Sequence, residues 1–312
     1  MGLMGFGGLV AIIGGVMFVV IVLRVLRTPR PLHPAQEKQI EHAPVAPVLR
    51  ILRGIGGTGA VLAVIILAAS VLLRLNTQIA TDGHTFSVLT PGVEGAARLM
   101  HRLAASGVGL LAVLAAILCG MNRQLAAAAL RPTLAIVAAT VLLSVIGPLT
   151  PGYKLAAVTV ANVAGGVMLV MSCWWLRESL RWPAAPNSQR DPLLRATVLI
   201  LLLHTGTGAA ASAMEMHGFR WVSATHLGLA ILATMFLGSV LWQRRHSRHC
   251  AATVAFMTAV LAAQLALGVA SYAVGHGHAL AGFAHALLTP LLAAGLVTLA
   301  VRNQTPAHMD AV

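Results

Sequence analysis

Three histidines and one asparagine stand at positions where an imidazole inside an apolar span can ligate a metal: His101, His226 and His285, with Asn162 where the spacing calls for a fourth. His101 and Asn162 lie 61 residues apart, and His226 and His285 lie 59 apart. His101 to His226 is 125 residues, and Asn162 to His285 is 123. Such intervals point to a duplicated unit of four helices whose ligand pair is intact in the second copy and half replaced in the first. Polar side chains are costly within a membrane, so an intramembrane histidine is a functional candidate. Two imidazoles at matched depth on diagonal helices can ligate a haem iron from both faces while the helices box in the macrocycle. Each ring then passes its other N–H to an acceptor, which fixes its tautomer. The plain alternative is that each histidine only hydrogen-bonds a neighbouring helix.

Other side chains join this set at one remove. His204 lies inside a span and is a candidate for orienting a ligand or bonding a haem substituent. Arg102 and Arg220 adjoin the expected ligands at the outer ends of their helices, where they can pair with carboxylates such as haem propionates; snorkelling to the interface is the competing role. His217, His276 and His278 fall on outer loops, and His33, His42, His246, His249 and His308 lie near basic residues. Both groups read as solvated. Cys119, Cys173 and Cys250 lie near cytoplasmic ends without ligand spacing, so neither a structural disulfide nor a thiolate metal site is expected.

The elements that must position these groups are membrane helices. The 312 residues are 58% hydrophobic and 9% charged, with a mean hydropathy of +0.86, which excludes an ordinary soluble globular protein. Nine runs approach the roughly 20 residues needed to cross a bilayer: 5–26, 55–76, 97–120, 132–150, 155–176, 193–213, 221–243, 250–272 and 279–301. The net charge of +13 is a topology signal rather than a nucleic-acid footprint, because the arginines concentrate in alternate loops. By the positive-inside rule the multi-pass chain has its N-terminus outside and its C-terminus cytoplasmic, and the expected location is a bacterial inner membrane.

The expected organisation is all-α: an anchor helix at 1–26, a Pro-rich cytoplasmic linker at 27–53, a first four-helix bundle at 54–176, a connector at 177–192, a second bundle at 193–302 and a tail at 303–312. The two bundles are pseudo-symmetric, up-down-up-down units. The opening run has no basic n-region or cleavage pattern and reads as a retained anchor. The loop at 77–96, with Asp82, His84 and Glu94, is long enough to cover a site at the outer surface.

Over roughly 54–302 the chain resembles the haem A synthases, eight-helix proteins built from two four-helix bundles. Met100-His101-Arg102 looks like the His-Arg that opens that family's second helix, and Gln264-Leu265-Ala266-Leu267-Gly268 matches its Gln-x-x-x-Gly in the seventh. Gly282-Phe283-Ala284-His285 resembles the stretch with its last ligand, and Thr205-Gly206-Thr207-Gly208 its Thr-Gly in the fifth. The resemblance implies oxidation of the C8 methyl of haem O to a formyl group, giving haem A. It implies a resident haem b on His226 and His285, and a substrate haem on His101. Haem O synthase, the cytochrome oxidase assembly machinery and an electron donor are the implied partners, alongside membrane lipid and a possible homo-oligomer.

The chain departs from the family in three respects. Asn162 replaces a ligand, and Arg98 replaces a glutamate three residues before His101; Glu94, seven residues before His101 and about 10 Å away along a helix, is the substitute candidate. The outer-loop cysteines of many members are absent, and the anchor is extra. An alternative function is therefore a non-catalytic haem b-binding subunit or assembly factor of a respiratory complex. A His-lined transporter lacks the acidic groups of a proton relay.

Overall fold

A computed structural model describes residues 45–81, 91–147, 156–182, 191–214, 220–273 and 279–303. These form eight long helices: α1 (Val45–Thr81), α2 (Pro91–Met121), α3 (Arg123–Ile146), α4 (Ala156–Arg181), α5 (Pro192–Met214), α6 (Arg220–Arg244), α7 (Ala251–Ala273) and α8 (Ala279–Arg302), with a short 3₁₀ turn, Arg248–Cys250, before α7. Among the described residues there is no strand. All eight helices contain a segment long and apolar enough to span a bilayer, so this is a multi-pass membrane protein. Helices close their backbone hydrogen bonds within the segment, which is what a lipid environment demands. The expected ninth span, 5–26, lies outside the described residues, as do Asp82, His84 and most of the 27–53 linker.

Hydropathy places the eight spans that fall among the described residues and clips their ends. Helix α1 begins at Val45, inside the expected linker, with Pro47 in the first turn, where a missing N–H costs nothing. Helix α2 begins at Pro91, so Glu94 sits in a helical first turn instead of a loop. Helix α5 starts at Pro192, and Asp191 caps it by accepting from the Leu194 amide at 3.2 Å. The second carboxylate oxygen of Asp191 takes the Arg244 guanidinium at 2.6 Å. One residue thus caps α5 and ties it to the end of α6.

Helices α1 to α4 pack as a ring, each against its sequence neighbours and α4 back against α1. In the second half α5 packs on α6 and α7 on α8, while α8 against α5 and α6 against α7 touch only lightly. The two halves meet where α4 lies against α5 and α8. The tightest packing follows from this: Leu176 of α4 and Leu292, Leu296 and Leu299 of α8 are fully buried. Trp174 Nε1 donates to Thr298 Oγ1 at 2.8 Å across the α4–α8 seam. In lipid such packing rests on close approach rather than on expulsion of water. At Gly56 of α1 an added Cβ would stand 2.7 Å from the Cys173 carbonyl oxygen of α4. Outward-facing residues are large and apolar, among them Leu110, Met121, Val269 and Leu280, as lipid contact requires.

Candidate functional site: a three-histidine cluster

Counting from Ala156, Arg220 and Ala279, the residues Asn162, His226 and His285 are each the seventh of their helix. His101 is the eleventh of α2, one turn deeper from a longer helix. The structure brings three histidines together, His204 of α5, His226 of α6 and His285 of α8, with one donor nitrogen of each within 4.8 Å of the others. The repeat spacing pairs His226 with His285; His204 joins them as a third imidazole. The His204 and His226 rings stack with centroids 4.3 Å apart and planes 7° from parallel. The His226 and His285 rings stand edge to face, 85° apart with centroids at 6.5 Å.

The His226 and His285 rings are each oriented by the preceding helix. His226 Nδ1 lies 3.2 Å from the His204 carbonyl oxygen, and His285 Nδ1 lies 3.0 Å from the Gln264 carbonyl oxygen. A carbonyl oxygen only accepts, so in both rings Nδ1 carries the proton and Nε2 keeps the lone pair. His101 follows the same rule more loosely, with Nδ1 3.4 Å from the Ile66 carbonyl oxygen and 3.1 Å from Ser70 Oγ.

One turn beyond each accepting carbonyl stands the residue that lets the ring approach. Four residues after His204 is Gly208, where an added Cβ would meet His226 Cε1 at 2.8 Å. Four after Gln264 is Gly268, where a Cβ would meet His285 Cε1 at 3.1 Å. In the first half the corresponding residue, four after Ile66, is Ser70, whose hydroxyl takes part in holding His101. The carbonyl-plus-glycine pattern one turn apart is visible in the sequence as His204–Gly208 and Gln264–Gly268, and it is the signal that locates the ring-bearing face.

The cluster holds polar atoms without partners. His204 and Gln264 are each 6% exposed, and His204 Nδ1 and Gln264 Oε1 are buried with no hydrogen bond. The Gln264 amide nitrogen lies 3.3 Å from His285 Nε2 and 3.2 Å from Thr289 Oγ1. It donates into the lone pair that a metal would take. Pro290, five residues past His285, cannot donate to the Ala286 carbonyl, so α8 lacks a rung beside the site.

A haem iron fits these residues. Imidazole–metal bonds of about 2 Å place opposed ligand nitrogens about 4 Å apart, the scale of the cluster. The lone pairs are already directed by backbone acceptors, and the two glycines leave room for the rings.

Of the other candidates, His101 is half-buried in α2 and is not one of the three clustered histidines, and Asn162 is half-buried in α4. Arg102 is exposed. Arg220 heads α6, with its side chain outside the described residues. Glu94 pairs with Arg98 at 2.5 Å, one turn on along α2. No family model matches this chain, and no curated protein or solved structure does either.

Proposed function

We propose that the α5–α8 half binds a haem b through His226 and His285, and that the chain is a haem A synthase-like membrane oxidoreductase acting on a second haem at His101. The observation that carries the haem reading is the shared device at the two ligands: Nδ1 held by a backbone carbonyl, which leaves the lone pair on Nε2, and a glycine one turn on. Charge also favours haem over a bare ion. The cluster is made of histidines alone, so a divalent ion there would keep its full charge in an apolar bundle, at high cost. The porphyrin dianion neutralises ferrous iron before it enters.

In this reading the two halves are pseudo-symmetric four-helix bundles, preceded by an anchor helix, in a bacterial inner membrane with the C-terminus cytoplasmic. Haem b, when bound, supplies one-electron transfer. The protein's own part is to fix both imidazoles in the ligating tautomer and to keep water out with buried neighbours such as Leu201, Ala209 and Val222. His204, stacked on His226, completes the wall of the site and gives its carbonyl to hold that ring. On the other side, Ser70 and the Ile66 carbonyl orient His101 toward the substrate haem, and Asn162 stands at the matched helical position without an imidazole. The product expected is haem A, from oxidation of the C8 methyl of haem O.

The ion pair that occupies Glu94 favours a second reading, a haem b-binding subunit or assembly factor whose first half has no catalysis. Extraction and chromatography of the haems from protein purified out of cells that make haem O separates the two. Haem O or haem A beside haem b supports the synthase, haem b alone supports the subunit, and absence of all haem removes both.

A further inference from the structure

At the end of the bundle opposite the histidines, a cleft of about 750 Å³ opens along α1 and α4. Arg53, Arg177, Arg181 and Trp174 line its polar part, and Thr58 and Val61 its apolar flank. The guanidinium groups are held in place. Arg53 gives Nε to the Leu180 carbonyl at 3.0 Å and a terminal nitrogen to the same oxygen. Arg177 lies over the Trp174 ring at 4.4 Å, and Arg181 stands 5.7 Å from the Trp182 ring.

This region has more positive charge than its neighbours balance. Among the described residues one carboxylate adjoins the three guanidiniums, Glu178, whose Oε1 is 3.8 Å from Arg177 and whose Oε2 is buried with no hydrogen bond. A cleft with surplus cations calls for an anion with several acceptor oxygens.

We infer that this cleft binds the phosphate group of an anionic glycerophospholipid. The phosphodiester sits among Arg53, Arg177 and Arg181, and the acyl chains run along the membrane-facing flank at Val61. The flank decides between a lipid and a free phosphate, because Val61, midway along the span Pro47–Arg74, is apolar and 59% exposed, at the depth that acyl chains occupy. Basic pockets between membrane helices take anionic headgroups in this manner.

The test is the thermal unfolding midpoint of the full purified chain in neutral detergent, titrated separately with dioleoylphosphatidylglycerol, dioleoylphosphatidylcholine and sodium phosphate. The phosphatidylglycerol titration is expected to raise the midpoint saturably and the phosphatidylcholine titration to leave it unchanged. Arg177→Gln and Arg181→Gln should each raise the half-saturating phosphatidylglycerol concentration about tenfold, the effect of one charge-assisted bond. Arg195→Gln, an exposed arginine outside the cleft, should not. Should Arg177→Gln fail to fold, exposed Arg181 decides. Equal responses to both lipids, a full response to sodium phosphate alone, or an unchanged phosphatidylglycerol response in the glutamine variants would overturn the assignment.

Discussion

At the scale of single residues, the site works by backbone geometry more than by side-chain partners. His285 is held from two sides, by the Gln264 carbonyl on Nδ1 and the Gln264 amide on Nε2. Only the first of these survives ligation, since the amide occupies the lone pair itself. Gln264→Leu keeps the carbonyl and removes a buried amide oxygen that has no partner. Deleting an unsatisfied group, which costs about 1–3 kcal/mol, offsets the lost hydrogen bond, which contributes about 0.5–1.5 kcal/mol. The variant should therefore unfold within a few degrees of the parent and keep its haem. Loss of the haem spectrum in well-folded Gln264→Leu would show that the side chain, not the backbone, orients His285.

At the scale of elements, spacing alone exposed His226 and His285, because near-equal intervals between apolar spans arise from a duplicated unit far more readily than by chance. His204 was harder to place in the cluster. In a helix apolar on every side, lipid-facing and bundle-facing residues look alike, so periodicity does not say where a side chain points. The exception is a glycine, which marks where another group comes close, and Gly208 and Gly268 carried that mark. Helix ends were misjudged for a related reason: first turns at Val45 and Pro91 leave the apolar region, and hydropathy reads only the part in lipid. The same reasoning makes a prediction at the α1–α4 crossing. Gly56→Ala puts a methyl 2.7 Å from a backbone carbonyl, whereas Gly54→Ala meets open space. The first should cost about 1–3 kcal/mol and the second should leave stability unchanged or slightly raised, as read by circular dichroism melting in detergent. Equal melting temperatures for the two variants would mean that α1 and α4 do not cross as described.

At the scale of the whole molecule, eight antiparallel spans return the chain to the side on which α1 begins. Arg50 and Arg53 of α1, Arg177 and Arg181 of α4, Arg244 of α6 and Arg302 of α8 all gather at that side, and the histidine cluster lies toward the other. Alkaline phosphatase and fluorescent-protein fusions after residue 303 should accordingly report a cytoplasmic C-terminus; phosphatase activity there would invert the topology. What the chain does with a site at that end depends on the ligand pair. The most direct measurement is the reduced-minus-oxidised absorption spectrum of the purified chain beside His226→Ala, His285→Ala and His101→Ala. A b-type, six-coordinate signal is expected in the parent and in His101→Ala and should vanish in the other two. A parent without haem, or a signal that persists in both His226→Ala and His285→Ala, would contradict the account.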